Sequence, residues 1–317
     1  MAAMRIPVTV LTGYLGAGKT TVINHLLSLH QTPRFTVLVN DFGALDIDAR
    51  LIADRGGDTI TLSNGCACCS IGDDLSEALA AQLASPRPPE RLIVEASGVA
   101  EPRRIARIVE AWPGLALDAI VTIADAGAIQ ARADDKFVGS LVRRQVEAAD
   151  ILVLNKADLL SVAPRASLLA WLGTQAPGAV RLAVERGAVD PLILFGPDLQ
   201  MPRAPGPDQQ LALPDMHART LDATAAIDLD ALARLLAHAP TGLHRVKGFV
   251  QNDAGRVHLV QHVGTHAPSI EPYSRARTAP PLALVAIATD PIALETFTAA
   301  FKALGSAPMH ARTAPQD

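Results

Sequence analysis

The stretch Val8-Thr9-Val10-Leu11-Thr12-Gly13-Tyr14-Leu15-Gly16-Ala17-Gly18-Lys19-Thr20 decides the fold of the first part of the chain. Its apolar, β-branched start predicts a strand, and the residues from Lys19 to Leu29 predict a helix. A glycine-rich loop that ends in Lys-Thr between a strand and a helix is typical of a phosphate-binding loop. Backbone N–H groups would surround the phosphate oxygens, Lys19 would neutralise their charge, and the Thr20 hydroxyl would bind Mg²⁺. The predicted phosphate-binding residues are Gly13, Gly16, Ala17, Gly18, Lys19, Thr20 and Thr21.

Outward from this loop, residues 1–195 alternate short apolar runs with amphipathic stretches. This alternation predicts an α/β fold, a P-loop NTPase with a mostly parallel sheet flanked by helices. The predicted strands are Pro7–Leu11, Phe35–Val39, Thr59–Leu62, Arg91–Glu95, Ala119–Ala124, Ile151–Leu154 and Val180–Ala183. The predicted helices are Lys19–Leu29, Asp73–Leu83, Arg103–Ala111, Lys136–Ala148 and Arg165–Gly173.

A change of composition separates a second module from the first. Residues 196–216 are rich in proline and are predicted to be a linker. Residues 217–317 predict a small C-terminal α+β domain. Its predicted elements are a strand at Ala218–Leu221, a helix at Leu229–His238, a hairpin of His244–Val250 with Arg256–Val263, a strand at Leu282–Ile287 and a helix at Pro291–Leu304.

The tetrapeptide Asn155-Lys156-Ala157-Asp158 follows the apolar run Ile151–Leu154. At the end of a buried strand, Asp158 would accept hydrogen bonds from the guanine ring N–H and amino group, which adenine does not offer in that pattern. The Lys156 stem would lie over the base. These positions therefore predict GTP rather than ATP, with Asn155, Lys156 and Asp158 at the base. A polar turn without a ligand is the alternative reading of the tetrapeptide alone.

A third motif, Glu95-Ala96-Ser97-Gly98, closes the predicted strand Arg91–Glu95. An acid at this position would hold Mg²⁺, directly or through water, and the Gly98 N–H would meet the γ-phosphate. An ordinary strand end with a glycine turn is the alternative. If the motif senses the γ-phosphate, Val99–Pro102 is expected to act as a switch.

All three cysteines of the chain, Cys66, Cys68 and Cys69, fall within four positions. Thiolates suit Zn²⁺, Cu⁺ and, less selectively, Co²⁺ or Ni²⁺, and residues two apart on an extended segment can share an ion. Three ligands leave a fourth coordination position for a carboxylate, a histidine, water or a partner. Buried small side chains and a redox thiol pair are the alternatives.

The composition limits the classes of partner and compartment. With a net charge of −4, the chain lacks the basic excess that binding nucleic acid by charge requires. Its apolar runs are shorter than a membrane span, and its N-terminal residues lack a signal-peptide pattern. We therefore expect a cytoplasmic protein that binds neither nucleic acid nor membrane, with reduced cysteines.

The segments TVLTGYLGAGKTTVINHLL, VNDFGALDID, NGCACC, VEASG and NKAD, in this order, resemble the CobW-type GTPases, a family of proposed metal chaperones. The resemblance covers the first domain, and Arg245–Gly248 with Gln261 resemble the family's C-terminal domain more weakly. It implies a P-loop GTPase that binds Zn²⁺ or a similar ion at the cysteine motif. GTP turnover would be coupled to delivery of the ion to a client protein, and Glu95 occupies the family's Walker B position.

Two positions depart from the family pattern. Asp41 stands where many members have glutamate, and a shorter carboxylate would still bind a metal or orient water over a different reach. The family's histidine-rich loop is also absent, and only His258, His262 and His266 lie near one another in sequence. On a strand these three would share a face, either as a polar face or as a second metal site.

Together these observations predict a GTP-hydrolysing metallochaperone with GTP or GDP, Mg²⁺ and Zn²⁺ (or Co²⁺ or another transition metal). Lys19, Glu95, Gly98 and Asp41 are its predicted catalytic residues; Thr20 and Glu95 would hold Mg²⁺, and the cysteines, with Asp41 as a further ligand, the transferred ion. The expected partners are a client apo-metalloprotein and a second copy of the chain. A nucleotide-dependent metal sensor or buffer and a thiol redox switch are the competing hypotheses.

Overall fold

The computed structural model describes residues 5–29, 35–39, 58–61, 71–195, 210–213, 216–263, 267–273 and 282–306. The chain divides into two compact units between Pro202 and Arg203. Each unit has its own sheet and its own apolar core.

The first unit alternates strands and helices along the chain. Its described strands are β1 (Ile6–Thr12), β2 (Phe35–Val39), β3 (Asp58–Thr61), β4 (Arg91–Glu95), β5 (Leu115–Asp125), β6 (Ile151–Asn155) and β7 (Val180–Ala183). Its described helices are α1 (Lys19–Ser28), α2 (Ile71–Ala84), α3 (Pro102–Ala111), α4 (Ile129–Ala133), α5 (Gly139–Glu147), α6 (Val162–Gln175) and α7 (Pro191–Phe195), with a 3₁₀ turn at Ala157–Leu159.

These strands form one sheet in the order β3-β2-β4-β1-β5-β6-β7, and every pairing in it is parallel. β1 lies between β4 and β5, and all of its residues are buried. A strand enclosed on both faces needs apolar side chains in both directions, which explains its continuous apolar run. The carboxyl ends of β1, β4, β5 and β6 therefore lie side by side at one edge of the sheet.

Helices cover both faces of this sheet. On one face α2 and α3 pack against Val8, Val10 and Leu92, and α4, α5 and α6 pack further along against Leu152 and Leu154. On the opposite face the Phe195 ring of α7 lies 5.8 Å from the Phe35 ring of β2. The structure confirms the predicted class, a P-loop NTPase fold with a parallel sheet between helices.

The element bounds differ from the sequence predictions in a few places. The predicted strand Ala119–Ala124 extends over Leu115–Asp125, and the predicted helix Lys136–Ala148 begins only at Gly139. Asp135 accepts hydrogen bonds from the backbone N–H groups of Phe137 and Val138, which forms a turn before the helix. The short helices α4 and α7 were not predicted from the sequence, because five residues are too few for a clear helical period.

A β-bulge in β5 serves the packing of the unit. Val8 of β1 pairs with Leu117 and Thr9 pairs with Ala119, so Asp118 is an extra residue. Its carboxylate accepts a hydrogen bond from the Arg91 guanidinium at 2.5 Å, and both side chains are buried. Arg91 also lies over the Phe195 ring, 4.8 Å from its centroid. This buried ion pair links β4, β5 and α7.

The second unit is antiparallel. Its described strands are β8 (Gln210–Leu213), β9 (Met216–Asp222), β10 (Leu243–Gln251), β11 (Val257–Val263), β12 (Ser269–Pro272) and β13 (Ala283–Ala288). They pair in the order β12-β11-β10-β13-β9-β8, all antiparallel. The helices α8 (Leu229–Ala237) and α9 (Pro291–Ser306) share one apolar core with one face of the sheet.

Local residue choices explain two features of this unit. The Asp228 carboxylate accepts hydrogen bonds from the N–H groups of Asp230 and Ala231, so α8 has an N-cap that satisfies two free donors. In β10, Gly248 has φ +153°, and a Cβ atom there would lie 2.0 Å from the Ala283 carbonyl oxygen of β13. Any side chain at this position would separate the two strands.

Two strands of this unit were not predicted from the sequence. Gln210–Leu213 fall inside the predicted 196–216 linker, yet they pair with β9 as an edge strand. Ser269–Pro272 form the opposite edge and pair with β11. Each is four residues long, so neither shows a clear period-two pattern in the sequence.

Candidate functional site

The loop between β1 and α1 is built around glycines that no other residue could replace without strain. Gly13, Gly16 and Gly18 have φ of +140°, +76° and +99°. A Cβ atom on Gly13 would lie 2.2 Å from the Ile123 carbonyl oxygen, and one on Gly18 would lie 2.2 Å from Asn155 Nδ2. The loop therefore lies directly against the ends of β5 and β6, with its backbone curled as a phosphate-binding loop requires.

Other predicted phosphate-binding residues lie on and after this loop. Ala17 is buried, and Lys19 begins α1 with its Nζ donating to the Gly13 carbonyl oxygen at 3.1 Å. Thr20 is half-buried and Thr21 exposed, both in the first turn of α1. The N–H groups of the first turn and the positive dipole end of this helix face the loop, an arrangement that favours an anion.

Asn155 joins two loops at the end of β6. Its side chain is buried, its Nδ2 donates to the Ala17 carbonyl oxygen at 3.0 Å, and its Oδ1 accepts from the Gly187 N–H at 2.9 Å. Both ends of the amide are thus hydrogen-bonded to backbone groups. Asn155 holds the phosphate-binding loop and the segment after β7 in fixed positions relative to β6.

Lys156 continues the connection on the same side of the loop. It has a left-handed backbone conformation, φ +61°, and its Nζ donates to the Gly16 carbonyl oxygen at 2.9 Å. The same Nζ lies 2.7 Å from Asp125 Oδ2. Asp158 is exposed in the 3₁₀ turn that follows, so its carboxylate is accessible to a base.

Asp125 is a site residue that the sequence reasoning missed. It ends β5, pairs in register with Asn155, and accepts hydrogen bonds from Lys156 Nζ and from the Gly127 N–H at 2.9 Å. The signal was present in the sequence, since an acid directly follows the predicted strand Ala119–Ala124. Its role became visible only when β5 and β6 proved to be neighbours.

Glu95 ends β4 beside β1, where it pairs in register with Leu11, and its side chain is buried. The Ala96 N–H donates to the Leu11 carbonyl oxygen at 2.8 Å, which holds the following segment against β1. Gly98 then touches the phosphate-binding loop, because a Cβ atom on it would lie 2.9 Å from the Leu15 backbone nitrogen. The structure thus brings the Glu95–Gly98 motif and the phosphate-binding loop together.

Arg132 of α4 contacts the outer part of the loop. Its guanidinium lies 4.9 Å from the centroid of the Tyr14 ring and donates to the Leu15 carbonyl oxygen. After α4, the N–H groups of Val138 and Phe137 donate hydrogen bonds to the Asp135 carboxylate. These hydrogen bonds lower the pKa of that carboxyl, and the one from Val138 has the larger effect. Sequence reasoning missed Arg132, because nothing in the local pattern distinguishes it from the other arginines of the chain.

The predicted transition-metal ligands Asp41, Cys66, Cys68 and Cys69 lie outside the described residues. Within the described ranges, no three histidine, cysteine, aspartate or glutamate side chains are grouped as a metal site requires. None of the described helices is long and apolar enough to cross a membrane.

Two histidines of the predicted second metal site, His258 and His262, are among the described residues. His258 and His262 lie on β11, both buried and on the same face as Val260 of the core. A rise of four residue steps along the strand puts their Cα atoms about 13 Å apart, too far for one shared ion. His258 Nδ1 lies 3.0 Å from the Arg256 carbonyl oxygen, and His266 is not among the described residues.

A loop with these glycines between β1 and α1, a lysine at the helix start and an acid at the end of the adjacent strand define a P-loop nucleotide-binding protein. The family profile described as "CobW/HypB/UreG, nucleotide-binding domain" matches residues 7–180. Because the match covers more than half of the chain, this protein belongs to that family. The family resemblance stated from the sequence is thereby confirmed.

Individual relatives match part of the chain. A zinc chaperone CobW from Pseudomonas aeruginosa is 29% identical over 225 residues, which cover 61% of this chain and 60% of that protein. The zinc-regulated GTPase metalloprotein activator 1 of Schizosaccharomyces pombe is 35% identical over 169 residues, covering 49% and 40%. The chain thus spans about half the length of the curated relatives it matches.

Among solved structures, the Zn(II)-bound YjiA GTPase from Escherichia coli aligns with 95% of this chain and 99% of its own. The two are 22% identical, with a TM-score of 0.46.

Proposed function

We propose that this protein is a GTP-hydrolysing metallochaperone. It binds Zn²⁺, or a similar ion such as Co²⁺, through Cys66, Cys68 and Cys69, and it couples GTP binding and hydrolysis to transfer of the ion to a client metalloprotein. The observation that carries the proposal is the direct connection of the phosphate-binding loop to the Asn155–Asp158 segment through the Asn155 amide. Membership of the CobW/HypB/UreG family supports it.

In this proposal the nucleotide binds along the carboxyl edge of the parallel sheet. The loop Gly13–Gly18 and the start of α1 at Lys19, Thr20 and Thr21 hold the phosphates. Asp158 accepts hydrogen bonds from guanine, and the Lys156 stem lies over the base while its amine stays on the Gly16 carbonyl. Asn155 contributes to guanine recognition by holding the two loops that enclose it.

The residues at the phosphate end fit Mg²⁺, the ion that accompanies nucleoside triphosphates. A threonine hydroxyl at Thr20 and a buried carboxylate at Glu95 are hard oxygen donors, and both elements border the same loop. When bound, Mg²⁺ supplies charge neutralisation at the β- and γ-phosphates. Lys19 adds a fixed positive charge, Gly98 offers its N–H to the γ-phosphate, and Asp41 or Glu95 orients the attacking water.

The transported ion is the substrate of the proposed cycle. The relatives' names, zinc chaperone and zinc-regulated GTPase metalloprotein activator, support Zn²⁺ as that ion and a metalloprotein as the client. The cysteine motif lies in sequence between Asp41 and Glu95, the two positions next to which nucleotide-dependent movement is expected. A change at the γ-phosphate would then alter the thiolate site, and by linkage the metal would alter nucleotide affinity equally.

A titration of Zn²⁺ into the protein with a non-hydrolysable GTP analogue, and separately with GDP, tests this coupling. We expect the two Zn²⁺ affinities to differ, and Cys66→Ser to weaken both. In the control variant Lys19→Ala, which binds nucleotide weakly but keeps the cysteines, the two Zn²⁺ affinities should become equal. Equal Zn²⁺ affinities in the GTP-analogue and GDP forms would refute the coupling.

Turnover separates the proposal from its two competitors. GTP hydrolysis is measured with and without Zn²⁺, for the unaltered protein and for Cys66→Ala. Negligible turnover in every condition, including with a client present, favours a sensor or buffer. Loss of thiols on mild anaerobic oxidation while Zn²⁺ is bound favours a redox switch.

The same proposal includes a client apo-metalloprotein as partner, a second copy of the chain, and a cytoplasmic setting. Sedimentation of the protein with GTP analogue, GDP or Zn²⁺ measures whether two copies associate. A single monomeric species under all three conditions would contradict the dimer.

A further inference from the structure

A tight turn follows the Glu95 strand at the phosphate-binding loop. The Ala100 N–H donates to the Ser97 carbonyl oxygen at 2.9 Å, which closes the turn. Gly98 inside it is buried against Leu15, so close that a Cβ atom on Gly98 would lie 2.6 Å from Leu15 Cδ2. A shift of this turn would therefore displace Leu15 of the phosphate-binding loop.

One side chain from another element holds this turn. Gln145 of α5 is 1% exposed, and its Nε2 donates to the carbonyl oxygens of both Gly98 and Ala100 at 3.1 Å each. The two amide hydrogens thus satisfy two carbonyls of one turn. The Gln145 backbone is fixed in turn, because its carbonyl oxygen accepts the Thr122 hydroxyl of β5 at 2.7 Å.

Because the peptide bond is planar, these hydrogen bonds also fix the direction of the Gly98 N–H. A trans peptide points its N–H opposite its C=O, so the Gly98 N–H points away from the Ser97 carbonyl. That carbonyl is held by the Ala100 N–H, and Ala100 is held by Gln145 through its own carbonyl. The direction of the Gly98 N–H thus depends on the Gln145 amide.

We propose that Gln145 is a positioning residue that sets the Gly98 N–H against the γ-phosphate, and thereby determines how well the protein discriminates GTP from GDP. The inference rests on the proposed function, which assigns nucleotide binding to this edge of the sheet. Gln145 does not touch the nucleotide itself. It acts through the Ser97–Ala100 turn.

The chemistry at this position requires a neutral amide. An ionised glutamate would place acceptor oxygens against two carbonyl oxygens and would offer no hydrogen. Leucine or methionine of similar size would leave both buried carbonyls without this donor. Each replacement releases the turn while filling nearly the same volume.

The test compares the affinities of Gln145→Met for a fluorescent non-hydrolysable GTP analogue and for fluorescent GDP. We expect affinity for the GTP analogue to fall about tenfold, the scale of one lost hydrogen bond, and GDP affinity to stay within about twofold. The matched control is Val146→Ala, the next residue of α5, which is buried in an apolar core. It should lower the melting temperature and leave the ratio of the two affinities unchanged.

Two outcomes overturn the proposal: Gln145→Met leaves the affinity ratio unchanged, whether or not both affinities fall, or it shifts the ratio no more than Val146→Ala does. Failure of the unaltered protein to bind either guanine nucleotide would instead refute the proposed function, so the two failures are distinguishable.

A measurement on the unaltered chain serves if no Gln145 variant folds. Hydrogen exchange of the peptides covering 96–101 and 139–148 is followed with GTP analogue and with GDP. We expect both peptides to be more protected with the analogue, at least several-fold in exchange rate. Equal protection with the two nucleotides would overturn the proposal.

Discussion

At the scale of single residues, one buried amide makes the connection on which the site depends. Asn155 donates to the Ala17 carbonyl and accepts from the Gly187 N–H. Gly18 has no side chain, and the amide occupies the space where its Cβ atom would lie, 2.2 Å from Asn155 Nδ2. The same few atoms therefore shape the phosphate-binding loop and position the residues that would read the base.

Replacing Asn155 by aspartate tests this connection. The acceptor for Gly187 is retained, but a carboxylate oxygen then faces the Ala17 carbonyl oxygen, and a buried hydrogen bond becomes a repulsion. We expect a loss of about 2 kcal/mol in the free energy of unfolding, together with weaker binding of every nucleotide. Urea denaturation and nucleotide titration measure the two effects.

The control for that variant is Asp158→Asn. Asp158 is exposed, so its replacement should change the free energy of unfolding by less than about 0.5 kcal/mol. It should instead reduce the preference for GTP over ATP. Equal destabilisation by the two variants would contradict the separate roles assigned to Asn155 and Asp158.

The glycines of the loop differ in the space that surrounds a Cβ atom, so alanine substitutions should differ in their cost to stability. Gly13→Ala places a Cβ atom 2.2 Å from the Ile123 carbonyl oxygen at φ +140° and should cost about 3 kcal/mol of stability. Gly16 has φ +76° but no atom within 4 Å of its Cβ position, so Gly16→Ala should cost only about 1 kcal/mol. Similar losses of stability for the two variants in denaturant melts would show that backbone strain at positive φ, rather than the contact of the new Cβ atom, determines the cost.

At the scale of elements, the bulge in β5 turns Asp118 toward Arg91 and buries the pair. We expect Arg91→Met to lower the free energy of unfolding by about 3–5 kcal/mol, because a buried carboxylate loses its guanidinium. The double variant Arg91→Met with Asp118→Leu should recover most of that loss. A double variant less stable than Arg91→Met alone would show that the pair contributes more than charge balance.

The turn between α4 and α5 gives a pH-dependent prediction. Hydrogen bonds from Val138 and Phe137 lower the pKa of Asp135 in the folded state. The stabilisation it provides is therefore present above the ordinary aspartate pKa of about 3.9 and is lost as the pH falls through the lower folded value.

Melting temperatures recorded from pH 6 to pH 2.5 test this assignment. Asp135→Ala should lower the melting temperature near pH 6 and converge with the unaltered protein at the acid end. The neighbouring Asp134, also exposed, serves as the control position. A constant offset between the Asp135→Ala and unaltered curves over the whole range would contradict it.

The elements show how far the sequence could predict this structure. The strands and helices with long apolar periods, such as β1, β6 and α9, were predicted to within a few residues, because burial on a sheet or against a helix dictates their pattern. The edge strands β8 and β12 were not predicted, because four residues show little periodicity. The bulge at Asp118 was not predicted, because a bulge depends on the register between strands, which a single sequence does not show.

The site followed the same rule. Gly13–Thr20 and Asn155–Asp158 could be predicted as site residues from the sequence because their chemistry lies in contiguous residues. Asp125, Arg132 and Gln145 were missed because each acts on a residue distant in sequence, Gln145 on a turn 45 and 47 positions away. The cysteine motif is contiguous as well, but it lies outside the described residues and stays a prediction.

At the scale of the whole molecule, the chain consists of two units with separate cores, one around a parallel sheet and one around an antiparallel sheet. The phosphate-binding loop, Glu95 and Asn155 all belong to the first. A ligand stabilises the cooperative unit that binds it, by about 2.7 kcal/mol when its concentration is 100 times its Kd. Nucleotide should therefore stabilise the first unit directly.

Hydrogen exchange at saturating GTP analogue tests where that stabilisation stops. We expect slower exchange along the whole of β1, β4 and β6, including their residues remote from the phosphates, because the sheet unfolds as one unit. Exchange in β10 and β11 of the second unit should stay within about twofold, and Lys19→Ala should abolish the nucleotide effect in the first. Equal protection of β10 would mean that the two cores unfold together, so that nucleotide occupancy is transmitted to the C-terminal sheet through the folding equilibrium itself.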